Sequence, residues 1–67
     1  MKITYLYWNE ATRQEIANEV EVTLVEIYKN HSIVVDKMGW YYVFDGENWQ
    51  YFCSKREARK FIREKLW

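Results

Sequence analysis

The side chains that could carry out catalysis are few and isolated along the chain. His31 has no Ser, Cys or acidic residue at a recognisable catalytic spacing, so we expect a polar residue beside a turn. Cys53 precedes a predicted helix but has no base beside it, and we expect a small, buried apolar side chain. Asp45 and Glu47 flank a turn glycine without the ligand spacing of a metal loop. The sequence therefore predicts a non-enzymatic protein with no metal site and no cofactor.

Aromatic and basic side chains carry the remaining chemistry. Aromatic residues make up 19% of the chain, and Trp, Tyr and Arg are the types that contribute most to the energetics of protein interfaces. Lys60 shares a stripe of the last predicted helix with three arginines. The candidate binding residues lie in the predicted sheet and in this helix: Trp40, Tyr42, Trp49, Tyr51, Arg56, Arg59, Arg63 and Trp67.

Length and charge limit the classes of protein that must be considered. A chain of 67 residues has room for one domain, covering residues 1–67, and its one cysteine cannot form an internal disulfide. Ten Lys and Arg balance ten Asp and Glu, so no global field favours nucleic acid, although residues 54–67 are locally basic. No apolar stretch is long enough to span a membrane. We therefore expect a cytoplasmic protein with no membrane contact.

The N-terminal half contains the main ambiguity of secondary structure. Aromatic and β-branched residues predict a strand over residues 2–8. Thr12 and Glu15 have the spacing of a capping box, which predicts a short helix from Thr12 to about Glu19. Residues 20–28 fit both the helical and the strand period, and their β-branched residues favour a strand.

From residue 29 onward, turn signals separate short apolar segments. Lys29-Asn30, the segment 36–39 ending in Gly39, and Asp45-Gly46 each predict a turn between strands. Ser54 and Glu57 form a second capping box before an amphipathic helix. The predicted fold is α+β: an antiparallel β-meander of three to five strands packed against a C-terminal amphipathic helix, with a short N-terminal strand and helix.

The predicted strands divide their side chains between two faces. A three-residue loop 37–39 and a two-residue loop Asp45-Gly46 place five residues on a face that the last helix covers through Phe61 and Ile62. These five core residues are Ile33, Val35, Tyr41, Val43 and Phe52. The opposite face carries Val34 and four aromatic residues, Trp40, Tyr42, Trp49 and Tyr51. A three-residue Asp-Gly-Glu loop would instead move Trp49 and Tyr51 to the other face. This aromatic platform is either an exposed binding surface beside the basic helix or a second core layer under residues 1–20.

Two resemblances add to this interpretation. Residues 54–60, Ser-Lys-Arg-Glu-Ala-Arg-Lys, resemble the Ser-Lys-Lys-x-Ala-Lys start of the last helix in double-stranded-RNA-binding domains. The chain lacks that family's Gly-Pro-x-His loop, so the resemblance implies a meander followed by a helix and does not imply RNA binding. Residues 25–66 are similar to small phage and prophage proteins with a hairpin, an Asp-Gly turn and a final helix. That resemblance implies no activity of its own, but such small phage proteins commonly act by binding and blocking a host enzyme or defence complex.

Two functional hypotheses follow from different classes of protein. The first is a protein-binding or self-associating module that uses the aromatic face and the basic helix as anchors. The second is a nucleic-acid-binding domain that uses Arg56, Arg59, Lys60 and Arg63 on phosphates, with aromatic rings available for stacking. Zero net charge favours the first hypothesis.

Overall fold

A five-stranded antiparallel meander and one C-terminal helix form the molecule, and the computed structural model describes every residue from Met1 to Trp67. Each strand pairs with its neighbour in sequence, so the strand order is β1-β2-β3-β4-β5. The elements are β1 (Lys2–Asn9), β2 (Gln14–Tyr28), β3 (His31–Asp36), β4 (Tyr41–Phe44), β5 (Trp49–Phe52) and α1 (Lys55–Phe61), which continues as a π-helical turn, Ile62–Leu66. The α+β class, the meander and the final helix are confirmed.

The short N-terminal helix predicted from Thr12 to about Glu19 is wrong. The side-chain oxygen of Asn9 accepts hydrogen bonds from the backbone N–H groups of Ala11 and Thr12, and Arg13 adopts a positive φ of 53°. These contacts form a tight hairpin loop, and β2 begins at Gln14. Thr12 therefore lies in a turn rather than at a helix start, because the strands on both sides of the loop pair with each other.

The 15-residue strand β2 belongs to two parts of the sheet. Its first half pairs with β1, from Asn9 opposite Gln14 to Lys2 opposite Glu21, and its second half pairs with β3. We call the paired residues 2–9 and 14–21 the ribbon. A bulge between Leu24 and Glu26 shifts the register, so that Glu26 lies opposite Ile33. The preference for a strand over residues 20–28 is confirmed.

Turn chemistry fixes the register of the other strands. Lys29 and Asn30 both have positive φ and form a two-residue hairpin turn, as predicted. Gly39, at φ 93°, completes the predicted three-residue loop, which the bond from the N–H of Asp36 to the carbonyl of Trp40 closes. The loop after Phe44 has four residues rather than two, because Phe44 pairs with Trp49. Two added residues leave the predicted faces unchanged, since side chains alternate with a period of two.

The helix covers one face of β3, β4 and β5, which we call the helix face. The Ser54 side chain accepts a hydrogen bond from the N–H of Glu57, which confirms this capping interaction. Ile33, Val43, Ala58 and Ile62 form a fully buried cluster, with half-buried apolar side chains around it: Tyr28, Tyr41, Phe52, Phe61 and Leu66. The predicted core is confirmed except for Val35, which is half-buried and lies outside this cluster.

The ribbon covers part of the other face, which we call the ribbon face. Ile3 and Val22 pack with Val34 and Tyr42 in a second buried cluster, and Tyr5, Val20 and Trp49 lie against it. The ribbon therefore folds back over the meander and brings β1 close to β5, so that the sheet approaches a barrel. None of the helical segments has the length and apolar character that crossing a bilayer requires.

Candidate aromatic binding pocket

The four aromatic residues predicted to form a platform divide into a covered pair and an open pair. Tyr42 is only 2% exposed, and Trp49 is half-buried against the same cluster, so the ribbon covers both. Trp40 and Tyr51 remain 43% and 49% exposed. The prediction that all four rings leave part of their surface open is therefore wrong for Tyr42, because Ile3 and Tyr5 of β1 lie over that part of the face.

The open pair lines a pocket together with the inner side of the ribbon. The pocket has a volume of about 300 Å³ and is lined by Tyr5, Tyr7, Asn18, Trp40 and Tyr51. Trp40 meets Tyr51 edge to face, with ring centroids 5.7 Å apart. The Tyr5 centroid lies 5.6 Å from that of Tyr51 and 6.1 Å from that of Tyr7. Four rings thus form a connected series that is partly open to solvent.

Three members of this pocket were not among the predicted site residues. Tyr5 and Tyr7 alternate along β1 and face the same side, a signal that was visible in the sequence. Asn18 was assigned to a helix, whereas in β2 it lies directly opposite Tyr5. Its side-chain N–H donates to the Tyr5 hydroxyl at 2.9 Å, which holds both side chains in place. Asn18 could be placed beside Tyr5 only by predicting that residues 14–28 form one long strand.

Asp36 fixes the position of Trp40 at the edge of the pocket. One carboxylate oxygen of Asp36 accepts from the N–H groups of Met38 and Trp40, at 2.9 and 3.0 Å, and the other accepts from the Tyr42 hydroxyl at 2.7 Å. Burial acts to raise the pKa of Asp36, but these hydrogen bonds outweigh it and hold the pKa below its ordinary value. The Tyr42 pKa is raised, first by burial and then by its bond to Asp36.

The basic stripe belongs to the helix that covers the helix face, so it lies on the other side of the sheet from the pocket. Arg59 makes a two-point ion pair with Glu26, at 2.8 and 2.7 Å, so this guanidinium is already bound. The Lys29 ammonium lies 4.4 Å from the Trp67 ring centroid and covers that ring in part. Arg56, Lys60 and Arg63 remain exposed. The structure does not bring the predicted helix residues and the aromatic residues into one site.

The remaining reactive side chains lie apart from the pocket residues. His31 is half-buried opposite Tyr28 at the hairpin turn. Cys53 is exposed, which contradicts the expectation of a buried apolar role, because the strand ends one residue earlier. The Asp45 carboxylate accepts bonds from the backbone of Glu47 and Asn48 and from the Gln50 amide, and these bonds lower its pKa.

A second pocket, of about 230 Å³, includes Asp36 in its lining and shares no residue with the aromatic pocket. Its walls are Glu21, Thr23, Val35, Asp36 and Lys37, with one apolar residue and charges of both signs. The Asp36 carboxylate is occupied by three hydrogen bonds within the chain, so it has little capacity left for a ligand. The aromatic pocket is therefore the stronger candidate site.

Comparison with known proteins gives no further guidance. No protein-family profile, no curated protein and no solved structure matches this chain.

Proposed function

We propose that this protein is a protein-binding module that holds a short segment of a partner in the aromatic pocket. The observation that carries the proposal is the open series of rings formed by Trp40, Tyr51, Tyr5 and Tyr7. Aromatic side chains offer large contact areas with few rotatable bonds, and they are enriched among the residues that dominate interface energies.

The pocket is held in shape before any partner arrives. Asp36 fixes the backbone of Trp40, and Asn18 fixes the Tyr5 hydroxyl. Tyr5 also lies against the buried Tyr42 ring, at a centroid distance of 5.3 Å. A preformed pocket loses less conformational entropy on binding, so a small contact area gives a higher affinity than it would in a flexible pocket.

Local charge supports a protein ligand over a nucleic acid. No Lys or Arg lines the pocket, and the exposed basic residues of the helix lie on the helix face. Binding of a nucleic acid depends mainly on cations that neutralise phosphates. Stacked bases without a cationic path for the backbone would have little affinity, so nucleic-acid binding through this pocket is the weaker hypothesis.

Selection from a library of random dodecapeptides on phage tests the proposal without knowledge of the natural partner. We expect the selected peptides to bind the parent protein and the Trp8→Ala variant, and to lose binding to Trp40→Ala. Trp8 is a matched control because it is 56% exposed and lies on the other side of β1 from Tyr5 and Tyr7. Failure to select any peptide that depends on Trp40 or Tyr51 would contradict the proposal.

The biological use of such binding stays a prediction. Residues 25–66 resemble small phage proteins, which commonly block a host enzyme or defence complex by binding to it. A module that occupies a peptide segment of an enzyme would act in this way without catalytic residues of its own.

A further inference from the structure

We infer that the free edge of β1 pairs with β1 of a second copy of this chain, and that this pairing produces a closed two-fold dimer. The inference goes beyond the proposed function and does not depend on it. Three features of the ribbon support it: unpaired backbone groups on β1, an uncharged sequence along that strand, and glutamates along the opposite edge of the ribbon.

The backbone groups of two β1 residues have no partner within the chain. β1 pairs with β2 alone, and Met1 and Val22 exchange backbone hydrogen bonds of 2.7 and 3.3 Å. Because bonded and non-bonded pairs alternate along an antiparallel ladder, Leu6 and Trp8 occupy non-bonded positions. Their N–H and C=O groups therefore point away from β2, toward the free edge of the ribbon.

The sequence of β1 leaves this edge unprotected. Proteins commonly keep an edge strand from pairing by a charged side chain, a proline, a bulge or a very short strand. Residues 3–9 contain no charge and no proline, and the register of β1 on β2 has no bulge. Leu6, Tyr7 and Trp8 are 39%, 37% and 56% exposed. A long, apolar edge of this kind is a template for another strand.

The other free edges of the sheet are protected. In the first half of β2, the residues whose backbone groups point away from β1 are mostly acidic. They are Glu15, Ala17, Glu19 and Glu21. The second half of β2 has the bulge between Leu24 and Glu26, and β5 has only four residues. Among the free edges of the sheet, β1 therefore lacks such protection.

The sequence of β1 is self-complementary in the antiparallel direction. With Tyr7 opposite Tyr7 of the second copy, Leu6 lies opposite Trp8 of that copy on the outer face of the ribbon. Each such pair exchanges two backbone hydrogen bonds, and the two-fold axis produces the pair twice. Apolar cross-strand pairs stabilise a sheet, and no like charges lie opposite each other in this register.

The glutamates explain why the assembly stops at two copies. Two ribbons joined through β1 give a four-stranded sheet whose outer edges are both formed by β2. Glu15 and Glu19 then protect each outer edge, so a third copy cannot add there. The pairing also supports the far end of the ribbon, because a two-stranded sheet is marginally stable in water and a four-stranded sheet is more stable.

Sedimentation of the full chain over a range of concentrations tests the inference. We expect a dimer in equilibrium with the monomer between about 10 μM and 1 mM, and no larger species. Leu6→Lys places a charge on the free edge and should weaken dimerisation about tenfold or more. Ala17→Lys is the matched control, because Ala17 lies opposite Leu6 on the same exposed face but on the protected strand. Its dimer should persist.

Amide hydrogen exchange in the parent protein gives a second measurement that needs no variant. The amides of Leu6 and Trp8 should exchange more slowly as the protein concentration rises, whereas the Tyr7 amide, in a bonded position with β2, should change less. A monomer at every concentration, larger oligomers, a dimer in which the Leu6 and Trp8 amides stay fast, or equal loss of the dimer in both lysine variants would overturn the inference. Leu6 and Trp8 lie on the other side of β1 from the pocket, so none of these outcomes contradicts the proposed function.

Discussion

The two faces of the meander are covered in different ways, and only one of them is closed. On the helix face, Ile33, Val43, Ala58 and Ile62 are all 0% exposed, and half-buried rings surround them. On the ribbon face, the cluster around Val34 is buried, but the rings at its edge remain open. A helix packs its apolar stripe along the whole of the short strands, whereas the ribbon crosses only part of them.

This difference explains why the candidate site lies under the ribbon rather than beside the helix. On the helix face, aromatic and aliphatic side chains pack in a closed core, and Arg59 of the covering helix forms an ion pair with Glu26. The ribbon face holds Tyr42 and Trp49 in the core and leaves Trp40 and Tyr51 free for a ligand. Both faces contain a buried cluster, and the open rings that could contact a ligand lie on the ribbon face.

The largest expected effect on stability comes from a substitution in the buried cluster between the helix and the sheet. Ile62→Ala should lower the free energy of unfolding by about 2–5 kcal/mol, because it leaves a cavity among fully buried side chains. Ile27→Ala is the matched control, since Ile27 is 65% exposed and should change stability by less than about 0.5 kcal/mol. Urea unfolding measures both variants. Equal midpoints would mean that the helix does not close this face.

The next effect concerns the support of the pocket on the ribbon face. Asp36→Ala should cost about 1–3 kcal/mol, because it leaves the buried Tyr42 hydroxyl without its acceptor and frees the N–H of Trp40. Tyr42→Phe removes one of these bonds and should cost less. Thermal unfolding of both variants gives the comparison, and an Asp36→Ala variant no less stable than Tyr42→Phe would contradict this role of Asp36.

The same carboxylate predicts a dependence of stability on pH. The pKa of Asp36 in the folded state is held below its ordinary value of 3.8, so the charged form stabilises the fold above that pH. This contribution is lost as the pH falls through the folded-state pKa. The difference in free energy of unfolding between the parent and Asp36→Asn should therefore shrink between about pH 5 and the acid limit. A difference that grows on acidification would have the wrong sign.

A smaller change in stability is expected at the open rings. Trp40→Ala should change the free energy of unfolding by less than about 1 kcal/mol, whereas Trp49→Ala should cost more because Trp49 packs against the buried cluster. Chemical unfolding of the two variants measures this contrast. Similar losses from both would show that Trp40 belongs to the core.

The sequence predicted the helix face better than the ribbon face for a physical reason. The capping box at Ser54 and the turns at Lys29-Asn30 and Gly39 are local signals, and they agree with the final packing. The segment after Thr12 carried a local helix signal that was overruled by pairing with β1, a contact between residues up to 19 positions apart, as for Lys2 and Glu21.

The wrong helix over residues 12–19 also explains why the sequence did not predict the position of the pocket. With a helix over residues 12–19, Asn18 could not be placed opposite Tyr5, and the cover over Tyr42 remained undecided. Trp40 and Tyr51 were predicted from the alternation of side chains in short strands, which survives a change of two residues in loop length. The sequence predicted which side chains share a face of the sheet, but it did not predict that the ribbon covers one of these faces.

The most direct test of the account compares the two faces in one binding measurement. A library-selected dodecapeptide is titrated by calorimetry into the parent protein, Trp40→Ala and Arg63→Glu. Arg63 is exposed on the helix, so its reversal leaves the pocket unchanged. We predict that Trp40→Ala weakens binding by about tenfold or more and that Arg63→Glu changes it by less than about twofold. Loss of binding in Arg63→Glu with normal affinity in Trp40→Ala would contradict the account and place recognition on the helix.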